Sequence, residues 1–169
     1  KVATNLLHDY GYFNGSVSYK EVPQKNPKEA KVNYVIDMNQ PYFLDSIAYL
    51  KYPHYADSLI QSTRSLSVLK SGENFSVIKL EEERQRLSNL LRNHGYYYYR
   101  PEFTTYRADT LQKSGYVSLQ VVPRNGIPAE AKKQYYIGNT SVYLTGYDNE
   151  PPTDTLRLRT MTFYYSGKK

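Results

Sequence analysis

Three histidines, a run of glutamates and a twice-written cluster of tyrosines are the residues of this chain with capacity for chemistry. His8, His54 and His94 stand far apart, with no His-x-x-x-His spacing and no carboxylate at ligand distance in the sequence, so no metal site is expected. Cysteine is absent, which removes disulfides, thiolate metal sites and a cysteine nucleophile. Glu81, Glu82 and Glu83 could supply an acid and a base. Adjacent helical residues diverge in direction, however, and a helix dipole favours carboxylates in its early turns in any case, so the run reads as a solvated face. No G-x-S-x-G, no phosphate-cradling glycine loop and no H-E-x-x-H is present. The chain is therefore expected not to be an enzyme and to need no cofactor. Tyrosines interleaved with arginine could instead stack on single-stranded nucleic acid, a reading weighed against plain packing and cross-strand pairing.

Twenty tyrosines, five phenylalanines and no tryptophan in 169 residues describe the elements that must hold these side chains. Tyrosine prefers half-buried places with its hydroxyl wet, so thin layers with much surface are expected. The formal charge of +6 is dispersed apart from pairs such as Lys132-Lys133 and Lys168-Lys169. A solvated surface is the simpler reading than a nucleic-acid footprint, which clusters its charge, and it leaves room for weak contact with an anionic lipid surface. No stretch approaches the roughly 18 apolar residues of a membrane helix. The opening "KVATNLLHDY" reads as the middle of a helix, so the sequence is expected to be a segment of a longer chain.

An internal repeat organises the chain. "LLHDYGYF" and "LLRNHGYY" place Leu6, Leu7, Gly11, Tyr12 and Phe13 84 positions before Leu90, Leu91, Gly95, Tyr96 and Tyr97. "KVNYVID" aligns with "YVSLQVV", and "YFLDSIAYL" with "YIGNTSVYL". One unit reads as strand, helix, helix, strand, strand. "YFLDSIAYLKY" alternates like a strand. Pro53 can open a short helix carrying Leu59, Ile60 and Leu66 on one face. Ser76 is placed to cap a second helix whose stripe runs through Val77, Leu80, Arg84, Leu87 and Leu91, with the Arg84 head in water. Gly11 and Gly95 then stop their helices in the left-handed conformation.

After each glycine the aromatics are expected to be extended, so that Tyr97 and Tyr99 share one side and Tyr96 and Tyr98 the other. Pro101 confines that strand to an edge or bulge. "YRADTLQKSG" reads as a loop and "YVSLQVV" as an inner strand. The fold class is thus α+β, in tandem β-α-α-β-β modules, each a three-stranded mixed sheet covered by two helices. The expected boundaries are a C-terminal part of one repeat over 1–40, a complete repeat over 41–124, a linker over 125–134 and the start of a third repeat over 135–169, cut before its helices. An exposed edge strand could accept an extended peptide as a further strand, and Arg100 and Pro101 could equally protect it.

The "LKSGENFS" segment before the second helix, "RLSNLLRNHGYYYYRPEF" and "YYIGNTSVYL" resemble polypeptide-transport-associated (POTRA) repeats of BamA/TamA-like outer-membrane assembly proteins, most of all the Tyr-rich TamL lipoprotein form. The resemblance covers essentially the whole chain. It implies modules projecting from a membrane β-barrel, which lies outside this sequence, at the periplasmic face of the outer membrane. It further implies partners that are unfolded outer-membrane proteins or accessory assembly proteins, received in part by addition to the second strand. Carried over, that strand is Tyr12 to Tyr19, with Tyr12, Phe13, Val17 and Tyr19 as binding residues, and Tyr96 to Phe103, with Tyr96, Tyr97, Tyr98, Tyr99 and Phe103. Gly11, Gly95, Leu87 and Leu91 are structural, and no residue is catalytic. The long strand-like tail from Thr155 to Tyr165 departs from a POTRA start. The alternatives are the arm of a two-partner secretion or other export pore, and a single-stranded nucleic-acid-binding module.

Overall fold

A computed structural model describes residues 2–26, 28–144 and 151–167 and divides the chain into two units, 1–134 and 135–169. The first unit opens with α1 (Val2–Asp9) and an antiparallel hairpin of β1 (Ser16–Pro23) and β2 (Ala30–Asp37). A full module follows: β3 (Phe43–Tyr49), α2 (His54–Ser62), α3 (Val77–Asn93), β4 (Thr104–Asp109) and β5 (Tyr116–Pro123). Its strands lie in the order β3-β5-β4, with β5 parallel to β3 and antiparallel to β4. The α+β class and the strand-helix-helix-strand-strand order are those expected from the sequence, with "YVSLQVV" as the inner strand. Val117, Leu119 and Val121 alternate on β5 and are buried in one cluster with Leu44, Ile60 and Leu87. Each such side chain contributes about 1.5–3 kcal/mol when fully buried.

The repeated Leu-x-x-x-Gly-Tyr spacing is a helix ending. Gly11 and Gly95 both have positive φ, at +87° and +94°. Tyr12 N–H donates to the Leu7 carbonyl at 2.9 Å and Gly11 N–H to that of His8 at 3.0 Å. The same pair recurs as Tyr96 to Leu91 at 3.0 Å and Gly95 to Arg92 at 3.1 Å. These are the two bonds of a Schellman motif, and the leucine and tyrosine they join are the apolar pair that accompanies it. Leu91 and Tyr96 accordingly share a buried cluster with Ala56 and Tyr99.

Helix α3 is capped as expected, with the Ser76 hydroxyl accepting from Lys79 N–H, but its inward stripe differs from the expected one. Leu87 and Leu91 are buried, and the position preceding them is Glu83, fully buried at 0 % exposure, instead of Arg84. Both lie within one turn of Leu87, so spacing alone does not choose between them. The choice follows from partners. Glu83 Oε1 accepts from Tyr49 Oη at 2.6 Å and from Arg86 Nη2 at 2.6 Å. Its Oε2 accepts from Val68 N–H at 3.1 Å and Arg86 Nε at 2.9 Å. The expectation of a solvated glutamate face therefore fails at Glu83, whereas Arg84 lies half-exposed at the edge of the stripe. The Arg84 guanidinium lies 5.2 Å from the Tyr106 ring centroid and pairs with Glu81 at 3.0 Å. Leu66, expected on the inner face, is 67 % exposed in a short 3-10 turn after α2.

Residues 125–134, expected as a bare linker, belong to the first unit: Ile127 and Ala131 are buried, the latter on a 3-10 turn at Ala129–Lys132. The second unit holds β6 (Thr140–Tyr143), β7 (Asp154–Leu158) and β8 (Met161–Tyr165) in the order β6-β8-β7, again with one parallel and one antiparallel pair. The tail from Thr155 to Tyr165 is thus a hairpin instead of one strand. It turns at Arg159 and Thr160, and Arg159 takes a positive φ without any glycine to signal it.

Replacing Glu83 by Ala leaves Tyr49, Arg86 and Val68 N–H without their acceptor. The expected loss in urea denaturation is about 3–5 kcal/mol, the cost of breaking one side of a buried charged pair. Burial, and next the hydrogen bond to Glu83, push the Tyr49 phenol up from 10.0 to about 12. Tyr49 therefore supports folding fully below pH 10 and withdraws that support as the pH climbs to about 12. Urea midpoints measured across that window should fall, and Tyr49→Phe should make the fall shallower.

Candidate docking edge

An edge strand is available for pairing only if its outward N–H and C=O groups lack partners. The central module has two edges, and they differ. On β3, Leu44 N–H donates to the Glu73 carbonyl at 2.8 Å, and Gly72 N–H donates to that of Leu44 at 2.7 Å. Phe75 N–H donates to the Tyr42 carbonyl at 2.8 Å, Arg64 Nη2 to that of Ile47 at 2.6 Å, and the Ser71 hydroxyl to that of Asp45. The chain segment 70–75 and one guanidinium thus close this edge.

The other edge is β4. Arg124 N–H donates to the Phe103 carbonyl at 2.7 Å, which fixes the phase of the antiparallel ladder with β5. Bonded pairs then fall at Thr105, Arg107 and Asp109, while Thr104, Tyr106 and Ala108 aim their backbone groups away from β5. Thr104 N–H donates to the Pro101 carbonyl, whereas the outward groups of Tyr106 and Ala108 have no hydrogen-bond partner among the described residues. Thr104 is buried at 1 % exposure, so the open part begins at Tyr106 and continues through Ala108. The Tyr106 side chain anchors the strand from beneath, its hydroxyl donating to the Leu80 carbonyl on α3 at 2.6 Å. Burial, and next the Glu83 charge, raise the Tyr106 phenol above the ordinary tyrosine range, so it remains a protonated donor.

The residues carried over from the resemblance are placed differently from one another. Tyr96 to Tyr99 form a turn, with Tyr99 N–H donating to the Tyr96 carbonyl at 2.9 Å. Their pattern is therefore i,i+3 instead of strand alternation: Tyr96 and Tyr99 are buried, while Tyr97 and Tyr98 are exposed. Tyr99 Oη and Thr104 Oγ1 lie 3.0 Å apart, and the Phe103 ring meets that of Tyr99 edge-on at 5.8 Å. Pro101 opens a 3-10 turn at Pro101–Phe103 instead of sitting in an edge strand. The strand begins only at Thr104 and runs on through Tyr106–Asp109, the start of the stretch expected as loop. Its alternation, "TTYRAD", was the available signal; four preceding tyrosines with high strand preference drew the strand forward.

In the first copy, Val17 and Tyr19 do lie on β1, opposite Ile36 and Tyr34. Tyr12 and Phe13 precede the strand and serve a joint. The Phe13 ring meets Tyr42 edge-on at 5.2 Å and Phe75 at 5.2 Å, and Tyr42 N–H donates to the Gly11 carbonyl at 2.9 Å. A Cβ on Gly11 would stand 2.7 Å from the Phe75 carbonyl oxygen, so this glycine is needed for contact with the following module as well as for its φ. Leu87 and Leu91 are buried core residues. The three histidines remain apart, and the described residues contain no group of ligating side chains suited to a metal ion. No described helix is long and apolar enough to cross a membrane.

Solved structures similar to this chain include POTRA domains 3 to 5 of BamA from Haemophilus influenzae, at 10% identity and a TM-score of 0.47, covering 83% of this chain and 51% of that one. The N-terminal domain of Omp85 from Thermosynechococcus elongatus is 16% identical with a TM-score of 0.34, over 83% of this chain and 49% of that one. POTRA domains 1 to 3 of the periplasmic domain of Omp85 from Anabaena are 17% identical with a TM-score of 0.31, over 92% and 55%. The chain spans about half the length of these structures. No protein-family model matches the sequence, and comparison with curated proteins finds no match.

The ladder phase makes a residue-level prediction. In native-state hydrogen exchange the Tyr106 and Ala108 amides should exchange at least about tenfold faster than those of Arg107 and Asp109, because only the latter are held by β5. Equal protection along the strand would mean that the edge is not open.

Proposed function

We propose that this chain is a docking arm of POTRA-like modules at the periplasmic face of the outer membrane, serving outer-membrane protein assembly. It receives unfolded chains or accessory assembly proteins by strand addition. One observation carries the proposal: the complete module closes the edge at β3 and leaves the Tyr106–Ala108 edge of β4, its second strand, without partners. The β-α-α-β-β order and the sequence resemblance to POTRA repeats point to the same role, and the TamL-like form remains its most specific version. The arm of a two-partner secretion or other export pore uses the same edge and differs in having one dedicated substrate.

Backbone pairing at two or three residues is weak and tolerant of sequence, which suits a site that handles many extended chains and releases them. Arg107 and the neighbouring Asp109 on the solvent face keep the edge from pairing with its own kind. Nothing in this mechanism requires a titrating or nucleophilic side chain, in keeping with an arm that is not an enzyme.

Ala108→Pro removes one outward donor while sparing the bonds to β5, and edge strands tolerate proline. It should reduce photocrosslinking to unfolded outer-membrane protein segments about threefold or more at unchanged fold, whereas Arg107→Pro breaks a β5 bond and should lower stability itself. Undiminished crosslinking in a folded Ala108→Pro variant would remove strand addition at β4. A crosslink confined to one client would favour the export-pore reading.

A further inference from the structure

A cavity of about 470 Å³ opens in the first unit where β3 and β5 end and where the chain leaves β5. Its walls are apolar and aromatic, with Tyr52, Tyr96 and Tyr99 on the helix side and Ile127 and Ala131 on the returning segment. Three cations, Lys51, Arg124 and Lys132, line it together with these side chains, and among the described residues no carboxylate does. The acids nearest in sequence, Asp57 on α2 and Glu130 beside Ala131, are not among its lining residues. None of the three cations belongs to an ion pair among the described residues.

Lys51 holds its position against its own backbone preference. Its φ is +65°, a left-handed conformation that costs a side-chain-bearing residue about 1–2 kcal/mol. Glycine would relieve that strain. The cavity volume falls within the roughly 300–1,000 Å³ of small-molecule sites, where a few polar groups orient a mostly apolar ligand.

From the cavity, its three unpaired cations and its aromatic walls, we infer that this site binds a small aromatic monocarboxylate, its ring between the tyrosines and Ile127 and its acid group toward Lys51, Arg124 and Lys132. Aromatic walls favour a flat aromatic body over a flexible aliphatic chain. Such a ligand touches both the helical layer and the 124–132 segment, and so holds that segment against the module.

The test uses the whole chain and 2-naphthoate as probe, followed by the Ala56, Ile127 and Ala131 methyl resonances. Saturable shifts at these methyls are expected, with the neutral analogue 2-naphthalenemethanol binding about tenfold more weakly because it offers no charge. Lys51→Gly should weaken naphthoate about fivefold while leaving the thermal midpoint unchanged or higher, since glycine relieves the positive φ. Arg124→Gln should weaken it by a similar factor. The inference is overturned by an absence of saturable shifts at Ile127 and Ala131, by equal affinity for the neutral alcohol, or by undiminished affinity in the folded Lys51→Gly/Arg124→Gln double variant. These outcomes are read away from β4, so they stand or fall independently of strand addition.

Discussion

The Glu83 carboxylate is the interaction on which the first unit depends. It is fully buried, and burying an isolated carboxylate is prohibitive unless each oxygen is satisfied. Here each oxygen accepts two hydrogen bonds: Tyr49 from β3 and Arg86 on one, Val68 N–H and Arg86 again on the other. One side chain of α3 thereby fixes the end of a strand, the chain between two helices and its own helix. An apolar residue of the same size could fill the space, and buried charge networks are often no more stable than such replacements. What a glutamate adds is a polar tie between β3, residue 68 and α3, because its oxygens take donors from all three.

That tie decides which edge of the sheet is left open. With residues 67–68 tied to Glu83, the following segment 70–75 runs along β3 and bonds to Tyr42 and Leu44, which closes that side. The same helix holds β4 from beneath through Tyr106 and Leu80 while leaving the outer backbone of Tyr106 and Ala108 without partners. The asymmetry of the two edges is therefore a consequence of how the two helices are joined. It does not come from strand sequence: β3 and β4 both alternate, and both lie at the rim.

How much of this was readable in the residues depends on the range of the forces involved. The Leu-x-x-x-Gly-Tyr ending, the Ser76 cap and the inner strand were legible because a local bond or a continuous apolar run determines each. Glu83 was not: its partners lie 34 and 15 positions away at Tyr49 and Val68, and only its i,i+3 pairing with Arg86 was local. The tyrosines misled for a related reason. Strand preference is an averaged quantity, and at Tyr96 it lost to a Schellman bond followed by a turn that puts Tyr96 and Tyr99 into one buried cluster. The second strand of the module was anticipated at 96–103, eight residues ahead of where β4 begins at Thr104. The 127–131 segment hid its buried residues behind prolines and a glycine that signal a linker.

The sheet of the second unit extends the argument about edges. Its β6-β8-β7 order and its parallel and antiparallel pairs repeat those of β3-β5-β4, yet β6 and β7 are joined by only the residues between Tyr143 and Asp154. Two outer strands that run antiparallel to each other on either side of a central one put the finish of the first and the start of the second at the same end of the sheet. The connection between them can therefore be short or can hold two helices without changing the sheet. Between β3 and β4 the connection holds the helices that bring the core, the closed edge and the buried glutamate. That connection closes the β3 edge of the sheet and leaves the outer backbone of Tyr106 and Ala108 open on the other.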